Sequence, residues 1–426
     1  MAAAPDTAAP RRVSVETTDA VQLSLLLGRI LFSFGATAQR IQDSIACLAR
    51  YLGCKEETLV SYDALLITVT NGDGFRTRID SARGVAGLNL LGVMRVSKLL
   101  RELSHSQPSV RELEQTLCAI RNAAHSHRVA FQALAAGCAG VGFCIVNGGD
   151  LASWLCSFVA GAFIFAIRRP LAAWKFNIHL TLFAIALAGS LLAALLARMT
   201  QTSTPAIALL GPVLFLVPGV PIINGGIDVV RNHVSIGIAR VGFALAVTVA
   251  VCLGVGLTAS IVPVRINSPF SLPGAWGMVL VSVAGAVASG ALASLNNGTL
   301  PLIGLCALGG LTGRLVRALL THGGLDLISA SLIAVLGSTL VVGFIAERLR
   351  WPAVFVAVMA ALPLVPGYFV IAGLHSLLTF AAAPTPDPAQ LSVAVQTLAR
   401  AVFISVALVI GIIGPVIILQ RQQERV

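Results

Sequence analysis

Six acidic side chains follow residue 128, and one of them, Asp228, lies in FLVPGVPIINGGIDVVRNH (215–233), an apolar run broken by Pro218 and Pro221. A proline has no N–H and clashes with the carbonyl one turn back, so this stretch leaves backbone groups unpaired. Gly219, Gly225 and Gly226 let a backbone or a solute approach closely. The N–H groups of a half-helix beginning after Pro218 suit a carboxylate. Asn224 and Asp228, four residues apart, share a face if the segment is helical, and Arg240, twelve residues on, is a candidate partner for the acid. The same Pro-Gly geometry recurs at Pro366 and Gly367, and the Ala-Arg pair at Arg240 recurs at Arg400. The candidate substrate-binding residues are therefore Pro218, Gly219, Asn224, Asp228, Arg240, Pro366, Gly367 and Arg400, with Asp228 also the candidate proton-coupling group.

Other chemistries find no support. No G-x-S-x-G, Walker A, HExxH or Rossmann fingerprint occurs, so neither a catalytic residue nor an ATP-driven pump is expected. Asp43, Asp63 and Asp73 stand without a matching base or nucleophile. The eight cysteines include no CxxC pair and no Cys/His cluster, which predicts small apolar fillers and no metal or other cofactor.

Composition supplies the setting. The 426 residues are 57% hydrophobic and 11% charged, against roughly 45–50% and about 25% in a soluble domain. Residues 1–128 hold 15 of the 29 Lys/Arg and 12 of the 18 Asp/Glu, leaving the other 298 residues too few charges for a wet surface. The expected fold class is a mainly α membrane protein with a small α+β N-terminal cytosolic domain. Ten spans are predicted near 129–147, 150–167, 177–197, 205–223, 236–262, 275–296, 299–320, 326–346, 351–376 and 393–419, each matching a hydrocarbon core of roughly 30 Å. The net charge of +11 sits on the N-terminal helices and at span ends, where it reads as topology and not as nucleic-acid binding. With the N-terminus inside, nine basic residues (Arg168, Arg169, Lys175, Arg231, Arg240, Arg348, Arg350, Arg421, Arg425) face the cytoplasm and five (Arg198, Arg265, Arg314, Arg317, Arg400) face outward, so both termini are expected in the cytoplasm.

Within residues 20–128, VQLSLLLGRILFSFGATAQRIQDSIACLARYLG reads as amphipathic helix, ETLVSYDALLITVTNGDGFRTRID as strands around the turn NGDG, and two further amphipathic helices follow. Residues 1–19 read as a disordered tail without an apolar signal core. In the membrane part, LFLVPGVPIINGG (214–226) returns as LPLVPGYFVIAGL (362–374), 148 positions later, and GIARVGFALAV (237–247) as TLARAVFISVA (397–407), 160 positions later. Five spans per half is an odd number, so residues 129–262 and 263–426 are expected to be inverted five-helix repeats with broken Pro-Gly helices. Open alternatives are a loop position for Asp228 just beyond the membrane and snorkelling anchors for Arg240 and Arg400. Asp326 is expected to start a span, and Glu347 to pair at a helix end with Arg348 and Arg350.

At these residues the chain resembles a known family. FLVPGVPIINGGIDVVRNHVSIGIAR is similar to the LVPG-x-P…N…D…G-x-AR signature of the threonine/serine exporter family. FGATAQRIQDSIACLARYLG and RGVAGLNLLGVMRVSKLL resemble its N-terminal helices, and FVAVMAALPLVPGYFVIAGLHSLL its smaller C-terminal partner domain. The resemblance implies a secondary transporter in a bacterial inner membrane, driven by the proton motive force, with both family parts fused. Its expected partners are a small carboxylate-containing solute (threonine, serine or a dicarboxylate), the lipid bilayer and, as an open alternative, a second copy of the chain. Thr37 and Gln42 replace acids common in the family, and RNHVSIGIAR resembles more closely the two-subunit branch implicated in succinate efflux. The rival from another class is a membrane-anchored enzyme or scaffold.

Overall fold

The computed structural model describes residues 16–72, 74–81, 88–123, 127–173, 176–262, 274–385 and 387–423. Most of the expected tail, and Asp73, Lys175, Arg265 and Arg425, lie outside these residues. Two units result: Met1–Leu88 with Gly92–Ala124, and Asn89–Leu91 with His125–Val426.

In the first unit α1 (Thr17–Ser33) buries Leu23, Leu27, Ile30 and Leu31, the three-to-four spacing of one helical face. That face packs on a three-stranded antiparallel sheet of β1 (Lys55–Val60), β2 (Ala64–Asn71) and β3 (Gly74–Ser81), ordered β1-β2-β3. Leu65, Ile67 and Val69 alternate along β2 and are fully buried, so the central strand supplies the core. The turn anticipated from NGDG joins β2 to β3, with Asn71 paired to Gly74. Helices α2 (Ala38–Tyr51), α3 (Leu90–Ser106) and α4 (Val110–Asn122) complete the element list, the last opened by a Ser109/Glu112 capping box. Thr37 is the buried residue preceding α2, and Gln42 donates to the Thr58 carbonyl at 2.9 Å, tying α2 to β1.

The second unit is helical. Its first half contains α5 (Val129–Val146), α6 (Leu151–Ala173), α7 (Ile178–Met199), α8 (Pro205–Leu210), α9 (Gly219–Val230) and α10 (Val234–Ile261). The second contains α11 (Gly274–Leu295), α12 (Leu300–His322), α13 (Leu327–Arg348), α14 (Ala353–Ala361), α15 (Gly367–Ala382) and α16 (Pro388–Gln423). Among the described residues eight helices are long and apolar enough to cross a membrane, and counting each bent pair ending in α9 and α15 as one span raises this to as many as ten. Leu245, Leu253, Val402, Phe403 and Ile410 stand exposed on α10 and α16, as lipid-facing side chains do, and Trp276 at the start of α11 is 82% exposed, where interfacial aromatics sit.

The two halves use one packing scheme. α5 packs on α6, α6 on α7, α7 on α10 and α9 on α10; correspondingly α11 packs on α12, α12 on α13, α13 on α16 and α15 on α16. Between the halves α5 meets α11, while α9 packs on α16 and α15 on α10.

Three expectations about position change. The fourth span does not stop at 223: α9 continues to Val230, so Asp228 is helical and fully buried, not in a loop. Arg240, counted as a cytoplasmic loop charge, lies inside α10 and is 3% exposed. Arg314 and Arg317, counted as outer charges, lie within α12. The spans predicted near 236–262 and 299–320 already enclosed these three arginines, so the correction falls on the loop count and not on the span bounds.

Candidate functional site

Both breaks have the same local build. A 3-10 turn, Leu214–Leu216 or Leu362–Leu364, leads into an extended valine and a proline, and the next helix starts at the glycine. The Gly219 N–H donates to the Val217 carbonyl at 2.7 Å and the Gly367 N–H to Val365 at 2.8 Å. The flanking segments bend by 53° and 49°. The bends also touch: a Cβ at Gly219 would lie 2.9 Å from Leu362 and 3.5 Å from Val365, and one at Gly367 would lie 3.5 Å from Leu214 and 3.7 Å from Val217. Pro218–Gly219 and Pro366–Gly367 are thus brought together, as reciprocal partners.

Carbonyls released by proline need other donors inside a bilayer. Pro212 cannot serve the Ala208 carbonyl, and the fully buried Ser157 hydroxyl of α6 donates to it at 3.4 Å. Pro363 stands in a 3-10 turn, where an N–H would serve the carbonyl three residues back, so the Ala360 carbonyl loses its donor. Ser289 of α11, also fully buried, donates there at 3.2 Å and, at 3.1 Å, to the Met359 carbonyl that already accepts the Leu362 N–H. Sequence reasoning missed both serines. The only signal was the position of Pro212 and Pro363, which fixes which carbonyl is orphaned but not which distant helix supplies the donor.

Asp228 reaches Arg240 through a glycine contact. A Cβ at Gly225 would meet the Gly237 carbonyl at 2.9 Å, and one at Gly237 would meet the Gly225 carbonyl at 2.7 Å, so α9 and α10 can touch only because both are glycine. The approach places the Arg240 Nη1 2.7 Å from the Asp228 Oδ2, with side chains 4% and 0% exposed. An unpaired charge here would be prohibitive, so each is the other's counter-ion. Asn224, one turn before Asp228, is 4% exposed. Arg400 does not join them. It is exposed on α16 and makes no hydrogen bond or ion pair among the described residues.

Two further arginines were not singled out from the sequence. Arg314 of α12 is 7% exposed, packs its stem on Gly285 of α11, and donates from Nη2 to the Val146 carbonyl at the end of α5 at 3.3 Å. Its Nε is buried without a hydrogen-bond partner. Arg317, one turn on, donates to the Leu364 carbonyl at 3.3 Å, at the edge of the second bend.

Two of the remaining acids are structural, whereas Glu347, expected to pair with Arg348 and Arg350, makes no ion pair among the described residues. Asp326 caps α13, accepting from the Ile328 and Ser329 N–H groups at 2.9 and 3.0 Å. Asp150 joins the α5–α6 and α7–α8 turns: it accepts from Thr202 (2.5 Å), the Ser153 N–H (2.8 Å), and the Ser203 N–H and hydroxyl (both 2.8 Å). Burial pushes the Asp150 carboxyl upward, but the bonds from Thr202, Ser153 and Ser203 outweigh it and hold the group well below the usual carboxylate range. No group of three or more His, Cys, Asp or Glu that could hold a metal occurs among the described residues.

Among the described residues, eight apolar helices, two bent helix pairs that touch at their breaks and an ion pair buried between α9 and α10 define a multi-pass membrane protein with the interrupted helices that transporters use. The chain belongs to the threonine/serine exporter family: the description "Putative threonine/serine exporter" matches residues 22–262, and "Threonine/Serine exporter, ThrE" matches residues 278–418. It is similar to the "Probable succinate transporter subunit YjjP" of Escherichia coli (strain K12), 27% identical over 56% of this chain and 93% of the relative. The protein of the same description from Klebsiella aerogenes is 27% identical over 53% of this chain and 87% of its own length. No solved structure matches the chain.

Proposed function

We propose that the chain is a secondary exporter of small carboxylate-bearing metabolites, driven by the proton motive force across a bacterial inner membrane. The observation that carries this reading is the contact between the two bent spans, with Asp228 and Arg240 buried beside the first. In the proposal the halves are inverted repeats. The N–H groups after Pro218–Gly219 and Pro366–Gly367 meet the solute's carboxylate, Asn224 orients its second polar group, and rocking of one half against the other alternates access. Asp228 takes a proton when Arg240 releases it, which couples transport to pH. Arg400, exposed on α16, serves as a snorkelling anchor in this scheme.

Sidedness follows the same rule as before with three arginines removed from the loops. Without Arg240 the inner count falls from nine to eight, and without Arg314 and Arg317 the outer count falls from five to three. The wider margin supports cytoplasmic termini.

Threonine and serine are the first substrates in this proposal, as the family descriptions suggest. A dicarboxylate such as succinate is the second reading. It is favoured by the description of the YjjP relatives as probable succinate transporter subunits and by the engagement of Asp228 with Arg240, which leaves that acid committed when an ammonium group would need it. Counterflow of labelled serine and of labelled succinate in proteoliposomes, with and without a pH gradient, tests both. Saturable flux of one, accelerated by the gradient, is expected; no flux of any small carboxylate overturns the proposal.

A further inference from the structure

We propose that Arg314 and Arg317 of α12 are the cations that receive the solute's carboxylate. This rests on the exporter reading above and adds the side chains that hold the cargo. A guanidinium has five N–H donors in a planar fork and remains charged. Arg314 is 93% buried by its 7% exposure, yet it makes one hydrogen bond, a long one to the Val146 carbonyl, and its Nε has no partner. Among the described residues no acid lies within ion-pair distance of Arg314 or Arg317. Arg240, the other buried arginine, already has Asp228.

A buried cation satisfied by one weak carbonyl contact is costly, and a second cation one turn away on the same face adds repulsion. Both costs fall when an anion arrives, because a carboxylate accepts two parallel bonds from one guanidinium. An apolar or helix-capping role alone would be met by a neutral side chain at far lower cost.

The location gives binding a mechanical consequence. Arg317 holds the Leu364 carbonyl immediately before Val365 and Pro366, and Leu364 also packs toward Gly313 of α12. A carboxylate seated on Arg317 competes with that carbonyl and loosens the second bend, which rests against the first through Gly367 and Leu214. Cargo binding is thereby linked to the element that must move.

The test uses the full chain in detergent and in proteoliposomes, with serine, succinate and the neutral diamide of succinate as probes. The wild type should gain thermal stability from a carboxylate and not from the diamide. Arg314→Gln and Arg317→Gln should each raise the half-saturating concentration at least about tenfold in both stabilisation and counterflow. Arg314→Lys keeps the charge but not the fork and should be intermediate, which preserves the test if the glutamine variant does not fold. Arg198→Gln, at the exposed end of α7, should match the wild type. Wild-type binding and flux with unchanged behaviour in the Arg314 and Arg317 variants overturns this inference alone. Absence of any carboxylate effect in the wild type overturns it together with the exporter reading.

Discussion

Asp228 on α9 and Arg240 on α10 lie 2.7 Å apart, both almost completely withdrawn from solvent, in a part of the chain where no other acid–base pair occurs among the described residues. Truncating one partner strands the other, so Asp228→Asn or Arg240→Gln should destabilise the protein by about 3–5 kcal/mol. The double variant Asp228→Asn/Arg240→Gln should recover most of that stability while leaving transport insensitive to pH. Thermal unfolding in detergent and efflux across a pH series check the two halves of the expectation.

The carbonyl freed by Pro363 gives a second prediction. Ser289→Ala removes the side-chain donor to the Ala360 carbonyl and should cost about 1–3 kcal/mol. Pro363→Ala in that background supplies a new N–H, so the two changes together should cost less than the sum of each alone. Ser157→Ala, which removes a longer bond of 3.4 Å, should be milder. A double-mutant cycle by thermal unfolding measures both.

Glycines of one helix should differ sharply. A methyl at Gly237 meets the Gly225 carbonyl at 2.7 Å, a backbone atom that cannot swing away, so Gly237→Ala should cost about 1–3 kcal/mol and separate Asp228 from Arg240. Gly242, five residues nearer the centre of α10, has nothing within 4 Å of the same methyl. Gly242→Ala should be neutral or stabilise by up to about 1 kcal/mol. Unfolding temperatures of the pair settle the contrast.

Asp150 sets an acid limit. Its folded-state pKa lies below the usual carboxylate value of about 3.9, so its contribution is complete above that value and is lost as pH falls through the folded one. Unfolding temperatures of the wild type should therefore drop more steeply below about pH 4 than those of Asp150→Asn, which starts lower at neutral pH.

Much of this architecture was legible because hydrophobic length and proline position are local properties. The runs around 129–146 and 327–348 announce spans by themselves, and LVPG at two places announces two breaks. The pairing of Asp228 with Arg240 was also within reach, since both lie in one short stretch of chain. Charges within apolar runs were harder. Arg314 was counted as an outer charge although it fell inside the predicted span 299–320, because sequence alone does not show Gly285 of α11 making room for its stem. Ser157 and Ser289 escaped for a similar reason: a hydroxyl in a helix is unremarkable until the carbonyl opposite it, 51 or 71 residues away, is known to lack an N–H.

Leu214 and Val217 brace Gly367, while Leu362 and Val365 brace Gly219. If the halves rock as proposed, straightening one elbow presses on its counterpart, so the two would act as leaves on one pin. In that scheme a change made to either leaf is passed to both, and the two sides of the joint open together.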